Sequence, residues 1–139
     1  MENNSFYVSV KAVFKCKDKV LYYEGENGLR DLPGGHITTN ESIQEALARE
    51  LREELGFVLK DEPKLIHAWK YDSSDGETHR IYVGYEIVLE ECKEFRSIEY
   101  PDALTFFWIN EQEVKDKKFL PGMEAALLRA LHDKKDSAD

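Results

Sequence analysis

Apolar residues alternate with others along the first part of the chain: Phe6, Val8, Val10, Ala12, Phe14 and Cys16. A period of two predicts a β-strand over residues 6–16 with one face buried. Asp18 and Lys19 supply a turn, and residues 20–23 read as a second strand. Residues 24–35 read as a loop, because Asn27-Gly28 is a turn signal and Pro33-Gly34-Gly35 interrupts regular structure. The period then changes. Ile43, Leu47, Leu51 and Leu55, with Ala48 beside them, form a stripe at helical spacing, which predicts a helix over residues 42–55. Ser42 and Glu45 make a capping box at its start, and Gly56 stands where a left-handed residue ends a helix.

The alternation returns downstream. Residues 65–71 and 80–90 read as strands, the second with Ile81, Val83, Tyr85, Ile87 and Leu89 on one face. Between them Asp75-Gly76 marks a turn. Residues 92–103 are irregular, and residues 104–109 form a short aromatic strand. Asn110 and Glu113 make a second capping box for a short helix. After Pro121-Gly122, the residues Met123, Ala126, Leu127, Ala130 and Leu131 mark an amphipathic C-terminal helix, and residues 134–139 read as a frayed tail. The order of strands, helix, strands and helix predicts an α/β protein of mixed layers. With 139 residues and no linker or repeat, it reads as a single domain over 1–139.

Charge narrows the function classes. Nineteen Lys and Arg stand against 28 Asp and Glu, a formal charge of −9. General nucleic-acid binding needs a basic face, so none is expected. A phosphate-bearing small molecule remains compatible, since a bound cation reverses the local field. No apolar run is long enough to cross a membrane, and the polar start shows no secretory signal. Cys16 and Cys92 fit no metal-spacing motif and no disulfide framework, so they read as two reduced thiols of a cytoplasmic protein.

The predicted helix carries the candidate chemistry. Glu50, Glu53 and Glu54 are i, i+3 and i+4 neighbours, so their side chains project together and repel. Solvent, a cation or arginine must offset that repulsion. Oxygen-rich clusters suit Mg²⁺, and the adjacent glycine turn offers backbone carbonyls. Arg49 and Arg52 lie within the same turns.

The spacing is specific. Gly35, five residues, Glu41, seven residues, then Arg49-Glu50-Leu51-Arg52-Glu53-Glu54-Leu55-Gly56-Phe57 resembles the Nudix box of Nudix hydrolases. Residues 35–56 fit the pattern throughout. Phe57 stands where Ile, Leu or Val is usual, a change expected to alter packing only. The resemblance implies an α/β/α sandwich with a mixed β-sheet, in which the box forms a loop–helix–loop. It implies Mg²⁺, with Mn²⁺ as a substitute, held by Glu50, Glu53, Glu54 and the backbone of Gly34 or Gly35. Arg49 matches an arginine that holds the glutamates in place, and Glu41 a glutamate linked to that arginine or to metal through water. The activity implied is water attack on a phosphorus of a nucleoside diphosphate linked to another group. A homodimer is common in relatives.

Several assignments stay open. The base that deprotonates water is Glu53 or Glu54, or else Glu99 or Asp102 in the irregular stretch. Leu65, His67, Trp69 and Tyr71 share one face of an ideal strand, so Trp69 and Tyr71 are candidates for stacking on a substrate base. Tyr22, Arg30 and Asp31 precede the glycine turn and His36 follows it, which makes Arg30 and His36 candidate substrate contacts. The alternative function is a nucleotide-sensing module that binds without cleaving. Isomerase chemistry would need a suitably placed catalytic cysteine, and neither cysteine is so placed.

Overall fold

The computed structural model describes residues 5–133, so the tail expected over residues 134–139 lies outside the described chain. The strands are β1 (Tyr7–Cys16), β2 (Lys19–Glu24), β3 (Arg30–Asp31), β4 (Gly34–His36), β5 (Lys64–Asp72), β6 (His79–Val88) and β7 (Thr105–Ile109). The helices are α1 (Ile43–Leu55), α2 (Glu111–Asp116) and α3 (Met123–His132). All seven strands join one sheet along the path β3–β2–β1–β6–β5, with β4 also on β1 and β7 also on β2. The β1–β6 pairing is parallel and the others are antiparallel, so the sheet is mixed as expected.

Alternation along β1 builds both layers. Val10, Ala12 and Phe14 pack with Leu47 and Leu51 of α1, together with Tyr85, Ile87 and Phe95. Val13 faces the opposite side, with Val20, Leu32, Val114, Met123 and Leu127 under α2 and α3. The sheet is thereby sandwiched between helices. Each fully buried leucine of α1 contributes about 1.5–3 kcal/mol. Phe57 packs edge-on against Phe14, with ring centroids 5.0 Å apart, so its departure from the usual aliphatic residue is met by core contact.

Both predicted capping boxes form. Ser42 accepts from the Glu45 N–H while the Glu45 carboxylate accepts from the Ser42 N–H, and Gly56 closes α1 at φ 68°. Asn110 and Glu113 do the same for α2. Ser42→Ala is expected to destabilise the protein by about 1 kcal/mol. Chemical denaturation with an unchanged m-value would register it.

The stretch read as a loop, residues 24–35, contains β3 and the start of β4. They are two and three residues long, too short to show a period, and arise from pairing with β2 and β1. The register of β5 also departs from the ideal alternation. A bulge between Leu65 and His67 breaks the shared face, leaving Leu65 58% exposed.

The cysteines correct an expectation. Cys16 and Cys92 are joined as a disulfide, with Cα atoms 5.3 Å apart. Cys16 ends β1 and Cys92 follows β6, and the parallel register of these strands brings their C-terminal ends together. Free thiols therefore no longer argue for a reducing compartment. Thiol titration of the unfolded, unreduced protein is expected to find no free cysteine, and two after reduction. Two before reduction would remove the bridge from the structure.

Candidate active site

Helix α1 lies with Ala46, Leu47 and Leu51 against the sheet, which turns Arg49, Glu50, Glu53 and Glu54 toward β4. Arg49 holds this face together. Its Nε and Nη2 grip both carboxylate oxygens of Glu41 at 2.9 and 2.7 Å. Nη1 donates to Glu50 at 3.0 Å and to Glu53 at 3.2 Å, and Nη2 also donates to the His36 carbonyl at 3.1 Å. These bonds use the whole guanidinium fork. They hold the Glu41 carboxyl down at about 2, chiefly through the Arg49 hydrogen bonds, and raise Arg49 itself.

The other two carboxylates meet the glycine turn. Gly34 N–H donates to Glu54 Oε2 at 3.2 Å. Glu50 lies flat against Gly35, where an added Cβ would stand 2.4 Å from its carboxyl carbon. Glu54 is buried, and desolvation lifts its pKa to about 7 against the lowering effects of the Gly34 N–H and Lys11. Glu53 reaches solvent.

The glycine turn also borders a cleft of about 520 Å³ on the sheet face that carries α3. Its floor includes Ser9 and Lys11 of β1, and its walls include His36, Tyr71, Thr78, Arg80 and Tyr82. Lys11 is buried and pairs with Asp31 at 3.1 Å, while Asp31 also accepts from Tyr23 and from the Leu32 N–H. Arg80 donates to His36 Nε2 at 3.0 Å and lies 5.7 Å from the Tyr7 ring centroid.

Of the residues singled out by sequence, Gly35, His36, Tyr71 and Asp31 line the cleft. Glu50 and Glu54 meet the turn that borders it. Arg30 lies elsewhere, bonded to Glu24 at 2.8 Å and to the Lys118 carbonyl at 3.1 Å. Tyr22 is buried in the core. Trp69 stacks between His67 and Tyr82 at 5.5 and 5.3 Å and packs over Gly122, where an added Cβ would stand 2.1 Å from its ring. Its ring is thus engaged by these neighbours and only partly exposed. Glu99 and Asp102 are exposed and do not line the cleft. Ser9, Lys11, Arg80 and Tyr82 were missed. Ser9 and Lys11 did carry a signal, since they are polar residues on the second face of a strand whose first face is apolar.

Among the described residues, no three carboxylate, imidazole or thiolate groups form a ready-made metal cage. The donor chemistry nonetheless fits a hard divalent cation. Glu50 and Glu54 bring oxygens to a turn whose bare Gly35 leaves room for them, and Glu53 shares Arg49 with Glu50.

Comparison with known proteins bears on the fold and the family. No curated protein matches the sequence. Among solved structures, a MutT NUDIX hydrolase from Burkholderia pseudomallei is similar at TM-score 0.75 and 20% identity, over 91% of this chain and 98% of that one. A MutT protein from Methanosarcina mazei Go1 is similar at TM-score 0.76 and 19% identity, over 97% and 99%. The NUDIX domain of Shewanella oneidensis NrtR, solved with ADP ribose, is similar at TM-score 0.72 and 20% identity, over 92% and 88%. These likenesses establish the fold. The sequence model of the NUDIX domain matches residues 7–131, nearly all of the chain. The protein therefore belongs to the Nudix family of pyrophosphohydrolases.

Proposed function

We propose that the protein hydrolyses the diphosphate linkage of a nucleoside diphosphate derivative, with Mg²⁺ or Mn²⁺ held by Glu50, Glu53, Glu54 and the backbone of the Gly34–Gly35 turn. The observation that carries this reading is the meeting of the acidic face of α1 with a glycine turn at the edge of a polar cleft. A bound divalent cation would neutralise diphosphate oxygens and acidify the attacking water.

The chain's own groups take the remaining tasks. Arg49 fixes the carboxylates of Glu41, Glu50 and Glu53 in one orientation. Glu54 is buried and accepts from the Gly34 N–H, which ties one of its oxygens to the glycine turn, and Glu53 and Glu54 are the box carboxylates placed to take the proton of the attacking water. Lys11 sets a buried positive charge in the cleft floor, partly balanced by Asp31. Tyr71, Thr78 and Tyr82, which carry hydroxyls, line the same cleft as the glycine turn.

The test is a screen of the purified protein against nucleoside triphosphates, nucleotide sugars, ADP-ribose and dinucleoside polyphosphates. Mononucleotide release is read with excess Mg²⁺ or Mn²⁺ and with chelator. Cleavage of at least one class only with metal is expected. Failure on every compound with metal present rejects the reading. A binding-only function draws on the NrtR NUDIX domain solved with ADP ribose. Calorimetric binding of ADP-ribose without product would favour it.

A further inference from the structure

In the cleft, positive charge is compensated unevenly. Tyr7, Ser9 and Lys11 alternate onto one face of β1, and the parallel register sets Arg80 beside Tyr7 and Tyr82 beside Ser9. Lys11 is neutralised by Asp31. Arg49 and Arg30, on neighbouring elements, also bind carboxylates. Arg80 differs: among the described residues it forms no ion pair, in a chain of net charge −9. Its guanidinium meets the His36 ring and the Tyr7 face. A guanidinium only donates, so His36 Nε2 is the acceptor and that imidazole edge carries no proton. Both contacts orient the cation without cancelling its charge.

Its position is equally specific. His36 follows Gly35, and its carbonyl is held by Arg49 while its ring meets Arg80. One residue thus joins the acidic face of α1 to the cation in the cleft. Arg80 lines the same cleft as the glycine turn against which a diphosphate would lie, and Thr78 and Tyr82 line it too. Asp31 is the one carboxylate among the cleft-lining residues described, and Lys11, Tyr23 and the Leu32 N–H already engage it. An uncompensated planar fork in a cleft that hydroxyl-bearing residues also line matches a phosphoryl group.

Building on the hydrolase reading above, we infer that Arg80 is a specificity residue that binds a phosphoryl group additional to the scissile diphosphate, so that the preferred substrates carry three or more phosphoryl groups in line. His36 and Tyr7 are its positioning residues. Substrates whose second group is an uncharged sugar leave this cation unmatched.

Calorimetry with the uncleaved α,β-imido analogues of adenosine triphosphate and adenosine diphosphate, at saturating Mg²⁺, tests the inference. The two probes differ by one phosphoryl group. The wild-type protein is expected to bind the triphosphate analogue about 10- to 100-fold more tightly, as hydrogen bonds to a charged group allow. Arg80→Gln is expected to abolish that preference while leaving the affinity for the diphosphate analogue within about 3-fold, and Arg80→Lys to fall between, because it keeps the charge and loses the fork. Equal wild-type affinity for the two probes would overturn the inference. So would an equal loss on both in Arg80→Gln, which would assign Arg80 to the common diphosphate or to structure. The substrate screen is read separately: binding preference without cleavage would count against hydrolysis and leave the Arg80 result standing.

Discussion

Glu54→Gln is expected to raise the heat resistance of the chelator-treated protein at pH 8 and to cut turnover by a factor on the order of 10² to 10⁴. The opposite signs come from one cause. Burial raises the Glu54 pKa from 4.5 to about 7, so the ionised carboxylate is disfavoured in the folded state. As pH rises, unfolded chains release this proton before folded ones do. The stability tied to the position is fully present below about pH 4.5 and is lost as pH climbs through about 7. By pH 8 the loss is on the order of 3 kcal/mol, and a neutral glutamine does not incur it. At pH 4 wild type and variant should melt together. Thermal scans at both pH values check the stability half, and mononucleotide release checks the other. A variant less stable at pH 8 would mean that the Gly34 N–H bond to the carboxylate outweighs desolvation.

Gly34→Ala is expected to destabilise the protein by about 3–5 kcal/mol, combining a disfavoured backbone geometry with overpacking. Gly34 has φ +147°, and an added Cβ would stand 1.9 Å from the Val10 carbonyl oxygen and 3.0 Å from the Lys11 Cα. Those atoms belong to β1, which pairs with β6 on its far side and cannot retreat. The neighbouring position makes the control. At Gly35 the obstruction is the Glu50 carboxylate, the far end of a flexible side chain. Gly35→Ala should therefore keep most of the stability and lose activity, because Glu50 must swing out of place. Denaturant melts of the two variants should separate them, and equal melting points would contradict this account.

Much of the architecture was legible in the sequence because strong periodicity and capping act locally. The α1 stripe, Ser42 with Glu45, and Asn110 with Glu113 each depend on residues within a few positions of one another. The acidic face of α1 was legible for the same reason, since Glu50, Glu53 and Glu54 sit on one helix. What escaped depends on distant segments. The β3 and β4 strands exist only through partners in β1 and β2. The Cys16–Cys92 bridge follows from a parallel register that no local pattern encodes. The bulge at Leu65 redirects a side chain that ideal alternation placed beside Trp69, and Gly122 claims the Trp69 ring. Arg80 meets His36 only because β4 and β6 both pair with β1.

The side-by-side alignment of β1 with β6 carries a kinetic consequence. Tyr7 must find Arg80 across an intervening stretch that includes the whole of α1. Closing so large a loop consumes chain entropy before any neighbouring contact rewards it. Local units such as α1 and the β5–β6 hairpin can organise early, whereas the middle of the molecule waits for a rare long-distance encounter. Refolding of the reduced chain should accordingly fall in the milliseconds-to-seconds regime of topologically complex domains, with the cleft among the last features to mature, whereas an intact Cys16–Cys92 bridge holds the two strands together in advance and should speed it.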